Sequence, residues 1–148
     1  ILIYLTEWAY FLLTLHTVVS AALCFADYYD SRSQPSVDQD SAQSLQIPWH
    51  YKLYWVLYNV AFGGGICITI LYWTLETPDL SVGSIFGHAI NSVTIVIDVM
   101  VSGLPCRLLH FVYPLTFGVV YILFTVVYWA AGGTGLDGQP YIYPFLDY

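Results

Sequence analysis

The sequence predicts an all-α membrane protein built as a bundle of four transmembrane helices. Three observations carry that prediction. Of the 148 residues, 58% are hydrophobic and 9% are charged, whereas a soluble domain averages about 25% charged residues. The mean hydropathy is +0.67. Apolar stretches long enough to cross about 30 Å of hydrocarbon recur along the chain, flanked by tyrosines and tryptophans of the kind that sit at membrane–water interfaces. The net charge of −7 comes from ten acids against three bases. Without a basic patch, nucleic acid is excluded as a partner, and polybasic binding to anionic lipid is unsupported.

The first helix is expected over residues 1–25. Thr6, Tyr10, Thr14 and Thr17 lie near one face at helical spacing. Glu7, one or two turns from the start, reads as an interfacial carboxylate beside the belt residues Trp8 and Tyr10. The start is not a signal peptide, because it lacks a basic region and its apolar run is too long. A chain apolar from Ile1 onward reads as a piece of a longer protein, with six helices expected in the whole. Residues 26–50 are rich in Ser, Gln, Asp and Pro and show no periodicity, so a flexible loop is expected there.

The second helix is expected over 51–75. Its centre holds Gly63, Gly64 and Gly65, which let a neighbouring helix approach closely; packing is preferred there to a ligand site. Pro78 marks the next loop.

The third helix, 83–102, is the most informative stretch. At about 100° per residue, Ser84, His88, Asn91, Ser92, Asp98 and Ser102 fall within an arc of roughly 120°. Lipid tolerates such a stripe poorly, so it should face the bundle interior. One reading is helix–helix glue. The other is a ligand or active site, since ionisable groups at that depth are costly and tend to be functional. A bare carboxylate at Asp98 would cost roughly 3 kcal/mol, so a hydrogen bond to a hydroxyl such as Thr17, Ser20, Thr116 or Tyr121 is expected. Gly83 and Gly87 form a small-xxx-small pair suited to close packing.

The fourth helix is expected over 108–130, kinked near its start by Pro114, with His110 at the interface. Residues 131–148 are turn-rich and then aromatic, and read as an outer aromatic cap. Cys24, Cys67 and Cys106 form neither a disulfide framework nor a zinc set. They are read as packing residues, with palmitoylation an alternative at Cys106 beside Arg107. His16, His50, His88 and His110 scatter over different depths, so no metal and no cofactor are expected.

Arg32, Lys52 and Arg107 all fall on the side of the 26–50 loop, which the positive-inside rule makes cytoplasmic. Thr6, His88 and Asn91 then share the outer half of the bilayer. Asp98 sits about 15 Å further along its helix from His88.

These residues also carry a family resemblance. The stretches 4–15, 52–62, 88–93, 107–129 and 140–148 resemble the rolling stone family, multi-pass proteins associated with myoblast fusion. That family is more distantly similar to the androgen-induced, FAR-17a-type membrane proteins. Those have six transmembrane helices and include threonine hydrolases of fatty-acid esters of hydroxy fatty acids. By this resemblance Thr6, in Tyr4-Leu5-Thr6, matches the nucleophile. His88 matches the first histidine of an Asn-His-x-x-His-Thr pattern, and Asn91 stands where the essential second histidine lies. Asn cannot serve as a base, because its amide does not titrate.

Two function classes follow. The first is a plasma-membrane or endomembrane protein acting in cell–cell fusion or adhesion, with membrane lipid as its surroundings and Asn91 pinning helices. The second is an intramembrane ester hydrolase acting on a fatty-acyl ester, with Thr6 as nucleophile, His88 as base, and Asn91 as oxyanion donor or orienter. It predicts Thr6 within about 8 Å of His88 or Asn91 across a common cavity. Weak or absent hydrolysis is expected, because Asn91 replaces the base.

Overall fold

The computed structural model describes residues 3–33, 47–75, 81–105, 107–136, 138–143 and 146. Most of the predicted 26–50 loop (34–46), the loop around Pro78 (76–80), Cys106 and part of the aromatic tail (137, 144–145 and 147–148) lie outside the described residues, as does the Ser84 side chain. The described residues are all-helical, without strands. Helix α1 covers Leu5–Ser33 and α2 covers Trp49–Leu75. A third helical run follows, made of α3 (Val82–Ile85), a π-helical turn (Phe86–Ile90) and α4 (Asn91–Ser102). A 3₁₀ turn, Leu108–Phe111, leads into α5, Val112–Ala130.

Three helices are long and apolar enough to cross a membrane: Leu5–Arg32, Trp49–Leu75 and Leu108–Ala130. The third run, Phe86–Ser102, is apolar but shorter. Large apolar side chains such as Phe11, Val18, Ile70, Val93, Met100, Leu123 and Val127 are exposed on the outside of the bundle. That surface suits hydrocarbon rather than water.

The first helix corrects the expected boundary. It runs eight residues past Phe25, so 26–33 is helix rather than loop. Side chains explain the extension. Arg32 donates to the Tyr28 hydroxyl one turn earlier at 2.9 Å, and its charge sits favourably at the negative end of the helix dipole. Tyr51, in the first turn of α2, donates to Asp27. That bond ties the end of α1 to the start of α2.

Helix α2 is the hub of the bundle, packing on α1, on α5 and on the third run. Its glycines work as the sequence predicted. A Cβ on Gly63 would sit 2.5 Å from the Pro114 ring, and one on Gly64 would be 3.5 Å from Phe117. A Cβ on Gly65 would collide with the Ile95 side chain. Gly63 and Gly64 therefore admit α5, and Gly65 admits α4. Pro114 sits in the first turn of α5, where a missing N–H costs nothing. A 3₁₀ turn precedes it instead of a kinked α-helix. By contrast, a Cβ on Gly83 or Gly87 would meet nothing within 4 Å among the described residues. The close packing expected of that pair is absent there.

Candidate functional site

The end of the bundle opposite Arg32, Lys52 and Arg107 is built around the start of α1. The Leu5 N–H, left over at the helix terminus, donates to the Tyr143 hydroxyl at 3.2 Å. The Tyr143 ring meets Tyr4 edge-on with centroids 5.6 Å apart. Tyr121 of α5 donates to the Ile3 carbonyl at 2.8 Å from a buried position. The tail and α5 together thus clamp the segment that carries Thr6.

The third run delivers His88 through its π turn. Such turns widen the helix by one residue and recur at functional sites. Tyr10 donates to the Phe86 carbonyl at 2.7 Å, and the Ser92 hydroxyl donates to the His88 carbonyl at 2.7 Å. The His88 ring lies flat on Tyr72, with centroids 3.5 Å apart and planes 9° apart. Its Nδ1 is buried and has no hydrogen-bond partner among the described residues.

Between these parts lies a chamber of about 210 Å³. Thr6, His88, Tyr72, Tyr121 and Tyr143 line it, together with the apolar Leu5, Ile68, Leu71, Ile122 and Leu146. Gly118 leaves its α5 wall open, since a Cβ there would meet nothing within 4 Å among the described residues. Of the three candidates, Thr6 and His88 share this chamber.

Asn91 does not line it. Only 1% exposed, it faces α2, where its amide nitrogen would lie 3.7 Å from a Cβ on Gly65. The π turn is the physical reason. Over Phe86–Ile90 each residue advances by less than the 100° of an α-helix, so His88 and Asn91 diverge more than α-helical spacing implies. Both polar atoms of the Asn91 side chain are buried without a partner among the described residues.

Asp98 is turned inward and hydrogen-bonded, but its partner is not a hydroxyl. His16 Nε2 donates to Asp98 Oδ2 at 2.9 Å. The imidazole is wholly buried, stacked on Tyr54 at 5.1 Å and tilted against Tyr58 at 5.6 Å. Counting residues could have found this pair. His16 lies ten residues after Thr6, and Asp98 lies ten after His88, on helices running the same way. Equal offsets place the two side chains at equal depth, about 15 Å below the chamber. Among the described residues no group of three His, Cys, Asp or Glu could hold a metal ion.

A family model described as "Protein rolling stone" matches residues 1–148. A relative from Drosophila melanogaster named "Protein rolling stone" is 34% identical over 155 residues, covering 99% of this chain and 55% of that protein. The chain therefore spans about half the length of the curated relative it matches. No solved structure matches it.

Proposed function

Because this integral membrane chain belongs to the rolling stone family, we propose that it acts at the plasma membrane in cell–cell fusion or adhesion, and that its outer chamber takes up a membrane lipid. The lipid part rests on one observation. Thr6 and His88 both line a mostly apolar cavity of about 210 Å³ within the bundle. Such a cavity suits an acyl chain with a polar group at one end, since binding pockets are commonly apolar with a few oriented polar groups. The end carrying Arg32, Lys52 and Arg107 is cytoplasmic in this reading, by the distribution of bases. A photoactivatable fatty-acyl ester, added to the purified protein in detergent, should crosslink to peptides carrying Thr6 or His88. Labelling spread evenly over the lipid-facing surface would overturn the chamber assignment.

A second reading, ester hydrolysis, is favoured by the shared chamber and by the unpartnered His88 Nδ1. In it the Thr6 hydroxyl attacks the ester carbonyl while His88 accepts its proton. The proton passes to the departing alkoxide, and water then releases the acyl group from Thr6. Asn91 acts at most by holding the π turn, so slow turnover is expected. A chromogenic fatty-acyl ester tests this reading. Slow hydrolysis abolished by Thr6→Ala would support it, and hydrolysis that survives Thr6→Ala would remove it.

A further inference from the structure

A second and larger chamber, of about 900 Å³, opens at the end of the bundle that carries the bases. Asp98 and Ser102 of α4 line it, as do Tyr54 and Trp55 of α2 and Tyr113 of α5. Asp98 has two faces. One accepts the bond from His16, whose side chain is 1% exposed; the Asp98 side chain itself is 30% exposed. A carboxylate can accept about four hydrogen bonds. A carboxylate facing a chamber at this depth calls for a positive partner.

Among the described residues His16 holds its inner face, and no base pairs with the face toward the chamber. The single lysine, Lys52, lines the same chamber but sits in the first turn of α2. The neighbouring Tyr51–Asp27 bond fixes its level. No ion pair joins Lys52 to Asp98 among the described residues. The Ser102 hydroxyl, buried and without a partner among the described residues, lies one turn from Asp98. Tyr54 donates to Ser20 at 3.1 Å, which fixes its ring at this level. Trp55 and Tyr113 meet edge to face at 5.4 Å and add two further π systems. Aromatic faces with a carboxylate recognise ammonium groups. The apolar walls and the absence of a metal-ligand cluster among the described residues favour an organic cation over a metal ion.

We propose that this chamber binds an organic ammonium group, seated between the Asp98 carboxylate and the rings of Tyr54, Trp55 and Tyr113. The group is either a free choline-like amine or the headgroup of an amine-bearing phospholipid, whose chains would lie along Leu23, Val56, Val101 and Leu104.

The test uses the protein purified in a maltoside detergent, which carries no ammonium group. Choline chloride, its neutral isostere 3,3-dimethylbutan-1-ol, and a soluble short-chain phosphatidylcholine are each titrated, with Trp fluorescence and calorimetry as readouts. Saturable choline binding, roughly tenfold tighter than the alcohol, is expected. Asp98→Asn should weaken it by roughly tenfold, while Glu7→Gln, the same charge change at the opposite end, should leave it unchanged. Where Asp98→Asn does not fold, Trp55→Leu and the choline–alcohol comparison on the unaltered protein decide. Binding of choline identifies a free amine as sufficient, and binding of the phospholipid alone identifies a headgroup. Equal binding of choline and the alcohol, no binding of either ammonium probe, or unchanged choline affinity in Asp98→Asn or Trp55→Leu would overturn the proposal.

Discussion

Two depths of the bundle place a histidine in different circumstances. About 15 Å below the outer chamber His16 is wholly buried, bonded to Asp98 at 2.9 Å and stacked on Tyr54. At the outer chamber His88 is half-buried, lies on Tyr72 and lines the cavity; the Nδ1 of each ring is buried without a partner among the described residues. The first imidazole is committed to structure on nearly every side. The second stands beside a cavity. The contrast lies within one polar stripe, with a hydrogen-bonded pair at one depth and a cavity wall at another. His88 lines the outer chamber, while the inner face of Asp98 joins α4 to α1.

The largest expected effect breaks this contrast directly. His16→Ala removes a ring packed between two tyrosines and leaves Asp98 without its partner. Deleting a fully buried ring costs about 3–5 kcal/mol, so a severe loss of thermal stability in detergent is expected. His88→Ala removes mainly a stacking contact and should cost about 1–2 kcal/mol. Equal losses in the two variants, measured as melting temperatures side by side, would show that the histidines play the same structural part.

Next comes the hub that separates the chambers. Gly63→Val drives a branched side chain into the Pro114 ring, already 2.5 Å from a Cβ at that position. Overpacking of this kind costs about 1–3 kcal/mol, and α5 should loosen from α2. Crosslinking between cysteines introduced on α2 and α5 would report it, with a fall in yield expected. Gly118→Leu is the counterpart on the chamber side. It meets no wall, so its effect on stability should stay within about 1 kcal/mol. Its side chain grows into the outer chamber, so labelling by the photoactivatable acyl ester should fall roughly tenfold. Undiminished labelling would mean that lipid sits elsewhere.

Much of this architecture was legible in the sequence. The apolar lengths gave the helices, and the glycine triplet gave the close contacts. The polar stripe gave the inward face of the third run. Two parts were not legible, for physical reasons. Local composition at 26–33 is polar, which argues for loop. Helix continues there because Arg32–Tyr28 and Asp27–Tyr51 satisfy side chains in ways that composition does not encode. The π turn was the other. Helical projection at 100° per residue assumes a uniform helix, and five residues of wider turn swing Asn91 away from His88. That Thr6 and His88 share a chamber was reachable from their depth, whereas the His16–Asp98 pair required comparing offsets on two helices.

The smallest expected effect sits inside that π turn. Gly87 looked like a packing glycine, yet a Cβ there would meet nothing within 4 Å among the described residues. Its φ is not positive, so an alanine is not strained by the backbone. Gly87→Ala should therefore be neutral or gain about 0.5–1 kcal/mol from reduced unfolded-chain entropy and better helix propensity. There is one route to a loss. If alanine favours a regular α-helix strongly enough to erase the extra residue of the turn, His88 rotates and its contact with Tyr72 breaks. Stability and acyl labelling then move apart: the melting temperature holds or rises while labelling at His88 falls. A stable Gly87→Ala protein with unchanged labelling would show that Tyr72 and Ser92, rather than the glycine, hold His88 in place. A marked loss of stability would restore Gly87 as a packing residue and contradict the open space around it.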